Sequence, residues 1–387
     1  MAELSNRLDW FSESTIRKMT RIADQYGAIN LSQGFPDFDP PKDILNSLKE
    51  VAEKGPHQYE ITWGSKIFRE KLAEKQKKFM RIEINPEENI VVTCGSTEAM
   101  MVSMMAVCNP GDKVIVFSPF YENYVADTIL SGAEPVYVAL KPPNFGFDKE
   151  ELRRAFEQNP KALILCNPSN PVGKVFTRDE LLYIASLAEE FDTFVITDEV
   201  YEHIVFPPNE HIYFVSLPGM FDRTISCSSL SKTYSITGWR LGYVIGNKKI
   251  IDNCKKVHDF LTVGAAAPLQ KAVIPGLEFG DDYYEDLINK YDKKRDLFLN
   301  GLDKIGLKYF KPEGAYYVLV DISEFGAKDD ISFCEYLTRD IGVAAVPGSS
   351  FFKEDVNNYI RLHFAKKDET LKEALKRLER LKCQNKF

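Results

Sequence analysis

The 387-residue chain holds only seven cysteines (94, 108, 166, 227, 254, 334 and 383) and five histidines. Its nearest cysteine pair, Cys94 and Cys108, is 14 residues apart, and no C-x-x-C occurs. That scarcity excludes a disulfide framework and a structural zinc module; no metal site is expected, and reduced thiols in a cytoplasmic protein are. No apolar run approaches the ~18 residues of a membrane span, since Ala99–Cys108 stops well short. The opening MAELSNRLDW carries charges but no apolar core, so no signal peptide is read there. Basic residues are outnumbered, 49 Lys and Arg against 57 Asp and Glu, a net charge of −8. Such a chain has no field to hold a nucleic acid, only local pockets for small anions. Internal repeats, low-complexity tracts and Gly/Ser linkers are missing as well.

What is present is an ordinary globular balance, 44% hydrophobic and 27% charged, enough to bury a large core. Between residues 88 and 246 short β-rich runs alternate with helical stretches. The runs are Ile90–Thr93, Lys113–Phe117, Pro135–Leu140, Ala162–Leu165, Thr193–Thr197, Thr224–Cys227 and Leu241–Ile245. Their continuous apolar character predicts a mostly parallel, seven-stranded sheet covered by helices on both faces. Thr177 with Glu180 forms a capping box for a helix reaching Phe191. A long helix over Asp281–Ile305 then leads into strands Tyr316–Val320, Val343–Val346 and Tyr359–Phe364, a smaller α/β unit. The first forty residues show little sheet pattern and are expected to join it. The expected division is therefore a large domain over 41–284 and a small one from 1–40 and 285–387.

Four strand-end loops hold chemistry-bearing residues, and each alone also has a plain structural reading. Thr93-Cys94-Gly95-Ser96-Thr97-Glu98 is a capped helix start, or a phosphate seat of backbone N–H groups and hydroxyls. Cys166-Asn167-Pro168-Ser169-Asn170-Pro171 is a rigid turn, or one that projects an amide into a cleft. Asp198, after the apolar run Phe194-Val195-Ile196, caps a helix, pairs within the core, or meets a ligand cation. Lys232, in Ser228-Ser229-Leu230-Ser231-Lys232, is a solvated lysine or a nucleophilic amine, with Arg240 eight residues on to grip a phosphate. Together a phosphate seat, an amide, a buried carboxylate and an amine match the requirements of pyridoxal phosphate.

The same residues carry a resemblance to a known family. NPSNPVGK (167–174), TDEVYEH (197–203), SLPGMFDRT (216–224) and SKTYSITGWRLGY (231–243) resemble the motifs of fold type I pyridoxal-phosphate aminotransferases of class I/II. The chain is most similar to the kynurenine/glutamine/methionine subgroup, from Asn30-Leu31-Ser32-Gln33-Gly34 to Tyr359-Ile360-Arg361-Leu362. The resemblance implies that Lys232 forms the Schiff base and that Asp198 pairs with the pyridine nitrogen. By the same likeness Tyr201 and Asn170 hydrogen-bond the ring hydroxyl, Tyr121 stacks on the ring, and Ser96, Thr97, Ser229 and Arg240 hold the phosphate. It also implies that Tyr59 reaches the phosphate in a neighbouring subunit, hence a homodimer with shared sites. Arg361, aided by Asn170 and the Gly34 backbone, would clamp the substrate α-carboxylate.

The activity implied is exchange of an amino group between an amino acid and a 2-oxo acid. Neighbouring readings are aspartate aminotransferase and a C–S β-lyase on the same scaffold. A cofactor-sensing regulator fits poorly, because the enzyme-like pattern starts within about thirty residues and no basic helix-turn-helix is seen. A neutral donor (aromatic, thioether, amide or kynurenine-like) is expected over aspartate. The two places where aspartate-specific relatives carry a second cation read Gly95-Ser96-Thr97-Glu98 and Val263-Gly264-Ala265-Ala266-Ala267, without Lys or Arg. Ile16 stands where several relatives have an aromatic residue against the substrate.

Overall fold

A computed structural model describes residues 4–383, with side chains described through Leu381. The first three residues of the opening segment and the Cys383 side chain thus lie outside the described residues. Fourteen strands are present among those described. In chain order they are β1 Ile29–Asn30, β2 Ile90–Thr93, β3 Lys113–Ser118, β4 Glu134–Lys141, β5 Gly146–Phe147, β6 Ala162–Cys166 and β7 Phe194–Asp198. They continue as β8 Thr224–Ser229, β9 Gly242–Ile245, β10 Lys308–Phe310, β11 Tyr317–Asp321, β12 Val343–Ala344, β13 Val346–Pro347 and β14 Tyr359–His363.

The central sheet runs β2-β9-β8-β7-β6-β3-β4-β5. β9 and the edge strand β5 run against the other strands, pairing antiparallel with β2, β8 and β4. The sheet has eight strands rather than the seven expected. The extra one, Gly146–Phe147, folds back on Leu140 and Lys141 and is too short for a β period to show in the sequence.

Both faces are buried, as the apolar runs require. Val114, Val116, Ile164 and Ile196 point to one side, against Met100 and Met104 of the helix Gly95–Val107 and Ile251 and Cys254 of the helix Lys248–Thr262. Ile115, Leu163 and Val195 point to the other, against Leu152, Phe156, Leu181 and Ile184 of helices Lys149–Phe156 and Arg178–Glu190. The Thr177–Glu180 capping box starts the second of these.

A second sheet, antiparallel in the order β10-β11-β14-β13, packs under the helix Asp281–Ile305 through Tyr291, Phe298 and Leu302. The run Val343–Val346 is not one strand. It breaks at Ala345, so that β12 pairs in parallel with β1 while β13 pairs with β14. The opening segment, whose sequence shows little sheet pattern, contributes β1, which is stitched to the chain's other end as expected.

This topology gathers the loops. The parallel strands β2, β3, β6, β7 and β8 all end at one edge, and β9, running the other way, starts there. The sheet order reverses at β3, with β4 on one side and β6 on the other, and crevices open at such points.

Candidate active site

A cavity of about 400 Å³ lies at that edge, lined by Ser96, Thr97, Tyr121, Asn170, Asp198, Tyr201, Ser229, Lys232, Arg240, Arg361 and Gly34. Every site residue read from the sequence is there except Tyr59. That side chain is 89% exposed and stands outside the cavity of its own chain.

Asp198 ends β7, paired in register between Cys166 and Cys227. Its Oδ2 accepts from the Tyr124 hydroxyl at 2.8 Å and its Oδ1 from the Val200 N–H at 3.3 Å. Burial pushes the carboxyl up to about 6, while Tyr124, Val200 and Lys232 pull it back. Lys232 follows β8. Its ammonium donates to the Gly34 carbonyl at 3.2 Å and lies 5.9 and 5.8 Å from the ring centroids of Tyr201 and Tyr316. Burial, together with the Arg240 charge, brings its pKa down to about 8 against the counterpull of Asp198.

The turn carrying Tyr201 is anchored from behind. Glu202 accepts from Tyr213 at 2.6 Å, Tyr243 at 2.8 Å and Gln76 at 3.0 Å, and faces Lys75 at 3.8 Å. Tyr201 itself donates to the Tyr317 hydroxyl at 3.0 Å.

In the same cavity lining the helix Gly95–Val107 presents Ser96 and Thr97 in its first turn. Arg240 reaches over it, its Nη1 donating to the Thr237 carbonyl at 3.0 Å and its Nη2 to the Thr97 hydroxyl at 3.5 Å. Ser229 and Ser231 hold buried hydroxyls that have no hydrogen-bond partner among the described residues. Gly95, at φ +79°, and Gly242 allow the closeness: a Cβ on Gly95 would strike the Arg240 guanidinium, and one on Gly242 the Gly95–Ser96 backbone.

Arg361 sits mid-strand in β14, opposite Leu319 and Val346, and is fully buried. Its Nη1 donates to Asn170 Oδ1 at 2.7 Å and its Nη2 to the Ser32 carbonyl at 2.8 Å. The guanidinium is packed 4.2 Å from the Tyr317 ring centroid and 4.6 Å from that of Phe351. Its Nε has no acceptor among the described residues.

The sequence reading missed Tyr124, Tyr317, Gln33, Glu122 and Arg17, all of which line the cavity. Tyr124 carried one available signal, its place three residues after Tyr121 at the start of a helix. Glu122 directly follows Tyr121, whereas Arg17, Gln33 and Tyr317 belong to segments remote in sequence whose approach depends on the chain ends meeting.

An α/β fold with an amine, a carboxylate and a buried guanidinium converging on the carboxyl edge of its sheet is that of an enzyme for small charged molecules. Residues 26–378 match the family described as aminotransferase class I and II, and the chain belongs to that family; it is a transaminase. It is 36% identical over 377 residues to methionine aminotransferase of Escherichia coli, covering 97% of this chain and 98% of that protein. It is 34% identical over 418 residues to kynurenine–oxoglutarate transaminase of Dictyostelium discoideum, covering 98% and 96%. The structure of N-succinyldiaminopimelate aminotransferase from Mycobacterium tuberculosis superposes with a TM-score of 0.94 at 35% identity, covering 98% of this chain and all of that one. Among the described residues no helix is long and apolar enough to cross a membrane, and the six described cysteines are free.

Proposed function

We propose that this cavity binds pyridoxal phosphate and moves an amino group between a neutral amino acid and a 2-oxo acid. What supports the reading is the convergence of Lys232, Asp198 and Arg361 on one cavity with a polar seat in its lining. The seat fits a phosphate: two buried serine hydroxyls lack partners among the described residues, and glycines leave the backbone bare where a Cβ would fill the space. Ser96, Thr97, Ser229 and Arg240 would hold the phosphate there, and Asp198 would face the pyridine nitrogen. Tyr201 and the Nδ2 of Asn170 would bond the ring hydroxyl, with Tyr121 on the ring face. When bound, the group supplies an aldehyde for an amine and a ring that accepts the electron pair left on a substrate Cα.

The chain's own residues do the rest. Lys232, with a pKa of about 8 rather than 10.5, is neutral far more often near neutral pH than an ordinary lysine, so its Nζ can attack a carbonyl carbon or carry a proton to and from Cα. Asp198 is ionised above its pKa of about 6 and holds a proton on a facing ring nitrogen. Arg361, fixed from behind by Asn170 and Ser32, turns its remaining donors to the α-carboxylate. Gly34 assists because no Cβ fits beside Tyr317. On the side-chain side Ile16 is buried with Val346 and Phe351, and Tyr121 packs against that cluster, an apolar wall for a neutral donor.

We also divide the chain into a cofactor-holding domain, 41–284, and a smaller one from 1–40 and 285–387, and place the enzyme in the cytoplasm, where its free thiols stay reduced. The test is a panel of single half-reactions in which methionine, phenylalanine, glutamine, kynurenine and aspartate are each mixed with the loaded protein. Loss of cofactor colour with a 2-oxo acid as product is expected for the neutral acids. Pyruvate, ammonia and a thiol from a cysteine conjugate, without any such amino transfer, would instead mark a β-lyase, and aspartate as best donor would refute the neutral preference.

A further inference from the structure

We propose that Arg17 is a specificity residue of this site, the cation that receives the distal carboxylate of a dicarboxylic 2-oxo acid. The inference rests on the transaminase reading and narrows its acceptor. Arg17 lies in the first turn of the helix Thr15–Tyr26, directly after Ile16, and lines the cavity that Arg361 closes at its buried end. The positively charged residues lining that cavity are Arg17, Lys232, Arg240 and Arg361, and the last three already have work there.

Arg17 does not. Its backbone N–H donates to the Ser14 hydroxyl, but its exposed guanidinium has no hydrogen bond or ion pair with any described residue. The charges around it are engaged elsewhere. Arg21, one turn on, is paired with Glu13 at 2.7 Å. Glu122, the carboxylate at the same rim, is bound at Oε1 by the Ser14 hydroxyl and at Oε2 by the Thr15 N–H at 3.2 Å, so both its oxygens face the helix start.

A ping-pong enzyme receives donor and acceptor in one cavity, both anchored through the α-carboxylate. A second carboxylate entering that cavity is costly unless it meets a cation. A buried second cation would penalise every neutral donor in turn. An arginine at the rim removes the conflict, because its guanidinium keeps its water when a neutral side chain lies against Ile16 and pairs when a carboxylate arrives. The positions Gly95–Glu98 and Val263–Ala267 lack the second cation, and the folded chain supplies one from a segment remote from both.

The experiment uses the full-length, cofactor-loaded enzyme, converted to its amino form with a neutral amino acid. kcat/KM is then measured for 2-oxoglutarate and for 2-oxo-4-methylthiobutanoate in wild type, Arg17→Met and Arg17→Lys. Arg17→Met is expected to lower kcat/KM for 2-oxoglutarate by about tenfold, mainly through KM, with the neutral acid changed by no more than about twofold. Arg17→Lys should recover much of the loss, and spectral titration with unreactive glutarate should weaken in parallel in Arg17→Met. Equal losses for the two acids, or no loss for either, would overturn the assignment. Failure of wild type to react with any amino acid in the first half-reaction is a different result: it removes the transaminase reading itself.

Discussion

At the residue scale Asp198 shows how a functional group differs from a stabilising one. Its carboxyl is raised from 3.8 to about 6 because burial outweighs the help of Tyr124 and Val200. An acid raised on folding favours the native state at low pH, and that advantage disappears as pH climbs through the native value. Without a bound cation, Asp198 therefore costs the folded protein roughly 3 kcal/mol at pH 7. Asp198→Asn should make the cofactor-free protein more stable at pH 7, by up to that amount, since an amide oxygen can still accept from Tyr124. The same variant should lose at least about a hundredfold in turnover, because a neutral amide cannot hold a proton on a facing ring nitrogen. Denaturant melts with the cofactor removed, alongside half-reaction rates with it bound, check the pair; a variant both less stable and fully active would make Asp198 structural. Asp198 was visible in the sequence because an acid after Phe194-Val195-Ile196 conflicts with its surroundings. Tyr124 offered only its spacing from Tyr121, because a tyrosine on a helix conflicts with nothing until the fold brings it to Oδ2.

At the scale of elements, the phosphate-seat helix is held by a clamp that composition did not reveal. Glu98, in the first turn of Gly95–Val107, meets His258 of the helix Lys248–Thr262, Nδ1 to Oε1 at 2.6 Å, and accepts from Thr262 at 2.7 Å. His258 Nε2 faces the Thr62 carbonyl at 2.8 Å. Both ring nitrogens thus meet acceptors, which only the protonated ring satisfies. Burial works to lower the His258 pKa, but Glu98 more than offsets it, and the net shift is upward from 6.5. For Glu98 burial works upward, and His258 with the Cys94 N–H brings it below 4.5. The contribution of His258 is therefore complete below about pH 6.5 and is lost as pH rises through its raised value. That of Glu98 is present above about 4.5 and lost as pH falls. His258→Gln should destabilise by about 3 kcal/mol at pH 6 and by clearly less at pH 10, in paired denaturant melts. An equal difference at both pH values would show that the histidine acts as a neutral spacer. The elements that this clamp joins were legible as apolar runs and helical stretches. The break at Ala345 and the strand Gly146–Phe147 were not, because strands of two residues are defined by their partners and carry no period of their own.

At the scale of the whole molecule one predicted residue is out of place, and its position argues for a second copy of the chain. Tyr59 is 89% exposed and absent from its own cavity, although the resemblance assigns it to the phosphate. Large apolar side chains are bare two residues on and in a second segment: Phe260 is 91% exposed and Val263, Leu261 and Ile61 nearly half so. The two segments that carry them are adjacent, since a Cβ on Gly264 would lie 3.3 Å from the Thr62 carbonyl and His258 touches the same group. A clustered apolar surface beside a cavity is where a partner docks, and a twofold dimer would carry each Tyr59 toward the other chain. Phe260→Asp with Val263→Lys should shift the protein from dimer to monomer at micromolar concentration, read by sedimentation or mass photometry. Because the phosphate would lose a ligand, retention of the cofactor should fall in step with dissociation. Tyr59→Phe, by contrast, should leave the dimer intact and weaken cofactor retention by about tenfold, the loss of one hydrogen bond to a charged group. Mixing Tyr59→Phe chains with Lys232→Ala chains discriminates further. Each mixed dimer would hold one site with Lys232 and a partner Tyr59 both intact, so affinity at that site should return to the wild-type value. A wild-type monomer that retains its cofactor fully would exclude the shared site and leave Tyr59 an ordinary surface residue.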